Sequence, residues 1–477
     1  MNGDTGHGAL RHVRGRSRPA LWLAGGVLTA LCAAIAVSPE RLGMLAVAAL
    51  ALSAGAVLVE RPAGVLCGVL VATVLFENDR HSLVPAATGF YRGPPSALDL
   101  LLALVVVGLA LRVASGRAAI YLPGSLTLPL VVLATAACAG TAAGYLGGAD
   151  RTALVIDLRG VVYLVLLPVL VVSLLGSRDS VRLAVVVAAV LAVAKGIEGL
   201  TSWLVGAGRS IEGTTLTFYA PSANFFLLVF VTGILAAFVM RVPVPVWTRL
   251  AAVLAFAVIV LSFRRNFWIA LPLSLLAALV VASGARLRLL VVPAIVVLSL
   301  GAFLAVTTYG GPQLSGPVAK RFESLSPTSI RADKYDRYRI DEAANVRAEL
   351  RRHPLTGLGL GVPWQERHPL PVELDGGHYY THVVAFWFWL KLGLAGLIAY
   401  VWLMVAAIAA GLRIWRKHPE PIVRVAGVAV AAALPALAVA ETTGSFTGAD
   451  PRFSVLMGAL FGWLAAAAAQ AHGTEPN

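Results

Sequence analysis

The sequence predicts an all-α fold, a polytopic transmembrane helical bundle of about 12–14 spans with one large extracytoplasmic loop that contains short helices. Of the 477 residues, 58% are hydrophobic and 13% are charged, and the mean hydropathy is +0.82. A soluble domain has about 25% charged residues. Apolar runs of about 20 residues, each long enough to cross a bilayer as a helix, recur along nearly the whole chain. A soluble globular protein is therefore excluded.

Each predicted span is a hydrophobic run between polar breaks. The runs cover residues 21–37, 42–59, 63–76, 97–113, 122–145, 153–175, 183–205, 223–240, 250–263, 267–283, 289–308, 383–412, 423–440 and 453–469. The run at 63–76 is short for a full crossing, and the two runs that flank Arg264 and Arg265 could instead form a bent hairpin. A total of twelve spans is therefore also compatible with the sequence.

The distribution of positive charge predicts the orientation of the chain. Four arginines precede the run at 21–37, which resembles a signal peptide, but the many later spans favour a retained signal-anchor with a cytoplasmic N-terminus. With this orientation nearly every short inside loop carries arginine or lysine, as the positive-inside rule requires, and the C-terminus is also cytoplasmic. The abundance of Arg over Lys and of Ala, Val and Leu suggests a GC-rich bacterial genome, so the cytoplasmic (inner) membrane of a bacterium is the expected location.

This topology divides the chain into four parts. They are N-terminal transmembrane helices at 1–205, central transmembrane helices with an Arg264-Arg265 hairpin at 206–309, a large extracytoplasmic loop at 310–381, and C-terminal transmembrane helices at 382–477. The formal net charge of +14 lies largely in short loops between apolar runs, so it indicates orientation among membrane lipids and no nucleic-acid partner. Cys32, Cys67 and Cys138 lie within apolar runs without paired spacing, which predicts small core residues and neither a disulfide nor a metal site.

Ionisable side chains within or at the ends of spans are functional candidates, because burying them in a membrane is costly. The candidates are Asp99, Asp157, Arg159, Lys195, Glu198, Arg264, Arg265, His382, Lys391 and Glu441. Lys195 and Glu198 are three residues apart and are expected to pair with each other. Asp157 and Arg159 point to different faces of one helix, so each is expected either to pair with a neighbouring helix or to contact substrate.

Arg264 and Arg265 are adjacent at the outer end of the predicted hairpin and have no acidic residue near them in sequence. An external anion is therefore their expected partner, and a pyrophosphate suits two or three planar guanidinium forks. The alternative is that both side chains snorkel at the membrane surface.

The long polar interval at 339–396 carries most of the remaining candidates. A helix is predicted from Arg339 to Arg352, and the Gly357-Leu358-Gly359-Leu360-Gly361 run predicts a tight turn that returns this helix to the membrane surface. A nucleotide loop is not expected, because no strand precedes the glycines and no Gly-Lys-Ser/Thr follows them. His382 precedes an aromatic helix start and suits a general base, a structural histidine of an aromatic belt, or a zinc ligand together with His378.

Four motifs follow one another in this part of the chain. They are Arg209 with the Pro221–Asn224 helix start, Ser262–Arg265 at the outer end of a span, Arg339 fifteen residues before the Pro354–Gly361 turn, and His382 eleven residues before Gly393-Leu394-Ala395-Gly396. In this order and spacing they resemble the bacterial O-antigen ligase and polysaccharide polymerase superfamily, which are polyprenyl-diphosphate-dependent membrane glycosyltransferases. The resemblance covers about residues 209–400.

The resemblance implies a metal-independent, inverting glycosyltransferase of GT-C type without a cofactor. It would move a glycan from a polyprenyl diphosphate carrier to a hydroxyl of an acceptor glycan or glycolipid on the outer face of the cytoplasmic membrane. His382, Arg265 and Arg339 would be catalytic, and Arg264, Arg265, Arg339 and Arg209 would bind the diphosphate. Two alternatives stay open, a polymerase whose acceptor is itself carrier-linked and a flippase or transporter of lipid-linked glycans.

Overall fold

The computed structural model describes residues 60–76, 96–205, 209–211, 214–217, 221–283, 333–372 and 377–471. The spans predicted at 21–37, 42–59 and 289–308 lie outside these ranges, as does Cys32. The described helices are α1 (Pro62–Leu75), α2 (Ala97–Ala114), α3 (Thr127–Leu146), α4 (Arg151–Leu175), α5 (Arg178–Leu204), α6 (Pro221–Val239), α7 (Val246–Leu261), α8 (Arg265–Ala282), α9 (Lys334–Arg352), α10 (Val384–Lys417), α11 (Pro421–Ala440) and α12 (Pro451–Gln470). Two short antiparallel strands, β1 (Arg209–Ile211) and β2 (Thr214–Thr217), precede α6.

The predicted all-α transmembrane bundle is confirmed. Within the described ranges, nine helices are long and apolar enough to span a membrane, and α1 and α7 are shorter apolar helices. A short turn joins α7, which ends at Leu261, to α8, which begins at Arg265, and each of the two helices packs mainly on other helices of the bundle. Phe263 adopts a left-handed backbone with φ 53° between them and is buried.

The centre of the bundle is formed by α11 and α12, which are the most enclosed of the described spans. Helix α11 packs between α8 and α10, and α12 lies along α4. Small residues allow this close approach: a Cβ on Gly458 of α12 would stand 2.8 Å from the Tyr163 carbonyl oxygen of α4. Close backbone packing through small residues is the usual way that membrane helices associate.

Most ionisable side chains within the spans have a partner inside the protein. The pairs are Lys195–Glu198 at 2.5 Å, Asp99–Arg159 at 3.4 Å and Asp157–Lys391 at 2.9 Å. The expected pairing of Lys195 with Glu198 is confirmed, and Asp157 and Arg159 each pair with a neighbouring helix. Glu441 is also satisfied, because it accepts hydrogen bonds from the Tyr400 hydroxyl at 2.5 Å and the Thr447 amide at 2.8 Å. Each of these buried charged or acidic groups therefore has a partner within the protein, which offsets the cost of removing it from water.

Arg452 is a buried structural cation that the sequence did not single out. It is fully buried, and its guanidinium donates to the carbonyl oxygens of Thr73 at 2.7 Å and Val74 at 3.1 Å. These carbonyls belong to the last turn of α1, where backbone acceptors have no partner within the helix. Arg452 thereby fixes the end of α1 on the first turn of α12.

The prediction that the cysteines are core residues is wrong for the two that are described. Cys67 on α1 and Cys138 on α3 are both free and exposed on the surface of the bundle. The outer surface of a membrane bundle faces lipid, so an apolar side chain there needs no burial within the protein. Hydrophobicity alone therefore does not distinguish a lipid-facing position from a core position.

Candidate active site

The Pro354–Gly361 segment forms a turn, and this turn packs between α3, α4 and α10. The Leu358 amide donates to the Leu390 carbonyl oxygen at 2.7 Å, and the Leu360 amide donates to that of Gly140 at 3.0 Å. The Gly361 amide donates to the Asp157 carboxylate at 2.8 Å. Non-helical backbone between these helices is possible because its polar groups find partners in the neighbouring helices.

The glycines of the turn explain why this backbone fits. Gly359 has φ +95°, and a Cβ at this position would stand 2.4 Å from the backbone nitrogen of Gly144 on α3. Gly393 has φ +70° and breaks α10 into two helical segments. This break brings the Leu394 amide within 3.0 Å of the Leu355 carbonyl oxygen. The turn and the broken helix therefore hold each other in place and fix the segment that follows α9.

Helix α9 begins five residues earlier than the predicted Arg339, because Asp333 caps it. The Asp333 carboxylate accepts from the backbone amides of Tyr335 at 2.7 Å and Asp336 at 3.1 Å. An apolar cluster of Val346, Leu350, Trp364 and Leu390 attaches α9 to α10. Three charged residues, Asp336, Arg339 and Glu342, recur every third position and therefore lie along one side of the helix.

Arg265 has an internal anionic partner, contrary to the expectation of an external one. Its Nη1 and Nη2 donate to Asp336 Oδ2 at 2.8 Å and Oδ1 at 2.6 Å, which is the bidentate geometry of a guanidinium–carboxylate pair. Arg339 Nη1 contacts the same carboxylate at 3.4 Å. The two predicted arginines thus meet at one carboxylate, although 71 residues separate Arg265 from Asp336 in sequence.

Arg339 is the less satisfied of the two guanidinium groups. Its side chain is 38% exposed, whereas its Nε atom is buried without a hydrogen-bond partner. Burial lowers the pKa of Arg339, the positive charge of Arg265 lowers it further, and Asp336 opposes both effects. Arginine keeps its proton in proteins, so the Arg339 guanidinium stays charged here. An additional anion beside it would stabilise that charge.

Glu342 on α9 binds both the backbone and the ring of His382. Glu342 Oε1 accepts from the His382 amide at 3.0 Å, and Oε2 lies 2.8 Å from the ring Nδ1. Glu342 is buried, and 17% of the His382 side chain is exposed. A carboxylate at Nδ1 favours the tautomer with a proton on that nitrogen, which leaves the lone pair of Nε2 available. No hydrogen bond joins Nε2 to any residue within the described ranges.

Two tyrosines enclose the His382 ring. Tyr338 and Tyr380 both contact it edge-on, with ring centroids at 5.8 Å and 5.0 Å. The Tyr380 hydroxyl donates to the Ser445 carbonyl oxygen at 2.8 Å. Burial raises the pKa of Tyr380, and the negative charges of Glu342 and Asp450 raise it further. Tyr380 therefore stays neutral and packs against His382 as an uncharged wall.

The other predicted site residues stand apart from this constellation or are described only in part. Arg264 immediately precedes the first turn of α8, next to Arg265. Arg209 lies in β1, where its backbone pairs with Thr217, and its side chain is outside the described part of the structure. His378 contacts Glu366 at 3.3 Å, and its ring packs at a tilt against Trp364, so it does not join His382. No group of three His, Cys, Asp or Glu suited to a metal ion occurs among the described residues.

Sequence reasoning missed Asp336, Glu342 and Tyr380. A usable signal existed for the first two, because an acid three residues before Arg339 and another three residues after it share one helix face. Their partners, however, are distant in sequence, so no local pattern shows which side chains they contact. Tyr380 belongs to none of the four motifs, so no local pattern distinguishes it from the other aromatic residues near α10.

The fold and the site define a multi-pass membrane protein in which one polar helix, α9, supplies the carboxylates that bind a pair of arginines and a histidine. Residues 250–401 match a protein-family model described as O-antigen ligase, and this match supports the O-antigen ligase superfamily of membrane glycosyltransferase-like proteins. The matched segment contains Arg264, Arg265, Arg339 and His382 but not Arg209. No curated protein matches the chain.

Proposed function

We propose that the protein is an inverting glycosyltransferase that transfers a glycan from a polyprenyl diphosphate carrier to a hydroxyl of an acceptor glycan or glycolipid. The reaction takes place on the extracytoplasmic face of a bacterial cytoplasmic membrane, and both termini are cytoplasmic. The observation that carries this proposal is the arrangement on α9, where Arg265 and Arg339 meet at Asp336 and His382 is bound by Glu342 two turns further along.

The arginines are assigned to the diphosphate. Arg265 and Arg339 offer planar forks of donors that match phosphate oxygens. Arg264, next to Arg265, and Arg209, in β1, are assigned to assist them in binding the diphosphate. A diphosphate competes with Asp336 for these forks and supplies the additional negative charge that the environment of Arg339 favours. Because guanidinium groups neutralise the charge that grows on the leaving group, the proposed reaction requires no metal ion.

His382 is assigned to the acceptor as a general base. Its Nε2 takes the proton of the acceptor hydroxyl, and the oxygen forms a bond to the anomeric carbon. The bond from this carbon to the diphosphate breaks, and its electron pair leaves with the polyprenyl diphosphate. Glu342 holds Nδ1–H and stabilises the imidazolium that forms. Direct displacement inverts the configuration of the anomeric carbon.

The experiment uses the purified full-length protein in liposomes with a carrier-linked glycan and an acceptor glycan. Release of free polyprenyl diphosphate and transfer of the glycan are measured together. His382→Ala is expected to lower kcat by about 10²–10⁴-fold, the range for loss of a general base. His368→Ala, a change of an exposed histidine in the neighbouring loop, is the matched control and should keep full activity.

Different results would contradict different parts of the proposal. Full turnover in His382→Ala would exclude the assignment of the base. Arg339→Lys keeps the charge but loses the fork, so an unchanged KM for the donor would exclude a bidentate diphosphate contact. Movement of the lipid-linked glycan across the membrane by the wild-type protein, without bond cleavage, would support a flippase instead.

A further inference from the structure

A cavity of about 400 Å³ shares Tyr380 with the surroundings of the proposed base. Its walls include Asp150 and Asp157 in the first two turns of α4, Tyr379 and Tyr380 before α10, and Trp387 in the first turn of α10. Tyr380 lines this cavity, and its ring contacts the His382 ring with the two ring centroids 5.0 Å apart. A ligand in the cavity would therefore be one residue away from His382, and the volume is within the usual range of about 300–1,000 Å³ for small-ligand sites.

The walls combine aromatic rings with carboxylates. A sugar ring presents C–H groups on its faces and hydroxyls at its edge, so it can pack on an aromatic ring while its hydroxyls donate to carboxylate oxygens. Asp150 caps α4 by accepting from the Ala153 amide through Oδ1 at 2.8 Å. Its side chain is exposed, so Oδ2 can accept from a ligand hydroxyl. The cavity thus offers both kinds of contact that a sugar needs.

The charge of the cavity differs from that of the arginine cluster. Lys391 Nζ lies 2.9 Å from Asp157 and neutralises it, and the same ammonium donates to the Val362 carbonyl oxygen at 2.9 Å. Asp150 has no such ion pair among the described residues and leaves the cavity with a net negative charge. This charge repels phosphates and acidic sugars, whereas it tolerates neutral sugars and attracts amino sugars.

We propose that this cavity binds a neutral or amino sugar ring of one of the glycan substrates and presents that glycan to His382. The inference rests on the proposed function, because the ring belongs either to the acceptor or to the donor glycan. The cavity contributes selectivity against acidic sugars, and the arginine cluster binds the diphosphate separately.

The test measures binding of simple sugars to the purified full-length protein by saturation-transfer NMR. The probes are N-acetylglucosamine and methyl glucoside, with glucuronate as the acidic counterpart. The neutral probes should give at least a five-fold stronger signal than glucuronate. Thr152→Trp fills the cavity and should remove the signal, whereas Val155→Trp changes an exposed position on the same helix outside the cavity and should retain it.

A second variant tests the charge without filling the cavity. Asp150→Asn keeps the helix cap, since Asn caps as well as Asp, but it removes the negative charge. Its glucuronate signal should rise to the level of the neutral probes. An unchanged neutral signal in Thr152→Trp, or equal binding of glucuronate by the wild-type protein, would overturn the inference.

Steady-state kinetics of glycan transfer show whether the bound sugar ring belongs to the acceptor or to the donor. They also separate this inference from the proposed function. A raised KM for the acceptor in Thr152→Trp assigns the ring to the acceptor, and a raised KM for the donor assigns it to the donor. If transfer is normal in Thr152→Trp for both substrates, the sugar site is wrong while the glycosyltransferase assignment stands. If the wild-type protein binds the probes but transfers no glycan, the glycosyltransferase assignment fails while the sugar site stands.

Discussion

Replacement of Glu342 by Gln is the sharpest perturbation of the site, because it keeps the shape of the side chain and removes its charge. Glu342 binds both the amide and Nδ1 of His382, at 3.0 Å and 2.8 Å. A glutamine amide can turn its NH₂ group toward Nδ1 and donate a hydrogen bond to it. This would place the ring proton on Nε2, the nitrogen that we propose accepts the proton of the substrate hydroxyl.

The expected loss follows from the strength of this contact. A hydrogen bond to a charged group contributes about 1.5–3 kcal/mol, and each 1.36 kcal/mol of transition-state stabilisation is about a factor of ten in rate. Loss of the charged hydrogen bond alone should therefore lower kcat by about 10- to 100-fold. The change of tautomer raises the expected loss of Glu342→Gln toward about 10⁴-fold, which is the cost of the equivalent change in a Ser-His-Asp triad.

The assay separates this positioning role from a general loss of structure. Turnover is measured with KM for the donor, which should stay within about two-fold because the arginine cluster is intact. Glu349→Gln is the matched control: Glu349 is also a buried acid of α9, but it pairs with Arg367 at 2.7 Å, away from His382. Wild-type kcat in Glu342→Gln, or equal losses in both variants, would refute the reasoning.

Three further predictions concern the supports of the site. Asp336→Asn leaves the guanidinium groups of Arg265 and Arg339 without their shared carboxylate, so the Tm of this variant in detergent should be lower than that of the wild type. Inorganic pyrophosphate should raise the Tm of the variant more than that of the wild type, and equal rises in Tm would contradict this. Gly359→Ala should prevent folding because its Cβ would clash with α3, whereas Gly148→Ala, with φ +76° but open space, should cost only about 1–2 kcal/mol; similar yields of both variants would exclude the packing argument. Arg452→Ala removes the partner of the last carbonyls of α1 and should lower the Tm by more than Arg424→Ala does.

The spans could be predicted because membrane insertion depends on local composition. The run at 97–113, for example, corresponds to α2 at Ala97–Ala114. The start of α9 was placed too late, although the Asp333 cap is itself a local signal. The break of α10 at Gly393 was not predicted, because a glycine in an apolar run is also compatible with an unbroken helix. The break depends on a neighbouring segment that bonds to the freed backbone groups, and the sequence does not show which segment that is.

The contacts within the site depend on tertiary structure more than the positions of the spans do. Arg265 lacks an acidic neighbour in sequence, so an external anion was the reasonable expectation, but α9 folds back and supplies Asp336. His382 similarly gains Glu342 from 40 residues away. The identities of the arginines and the histidine could be inferred from residue types and motif spacing. Their carboxylate partners could not, because short motifs contain no information about which helix faces which.

Helix α9 carries both the carboxylate that binds Arg265 and Arg339 and the carboxylate that binds His382. Asp336 and Glu342 are six residues apart, which corresponds to about 9 Å along α9. An in-line displacement needs a base on one side of the anomeric carbon and a cation on the other, separated by two hydrogen bonds of about 2.8 Å each and by the two partial bonds to the reacting carbon. The spacing of the two carboxylates along α9 is of the same order as this separation. Because both carboxylates lie on one helix, α9 fixes the distance between the support of the proposed leaving-group arginines and the support of the proposed base.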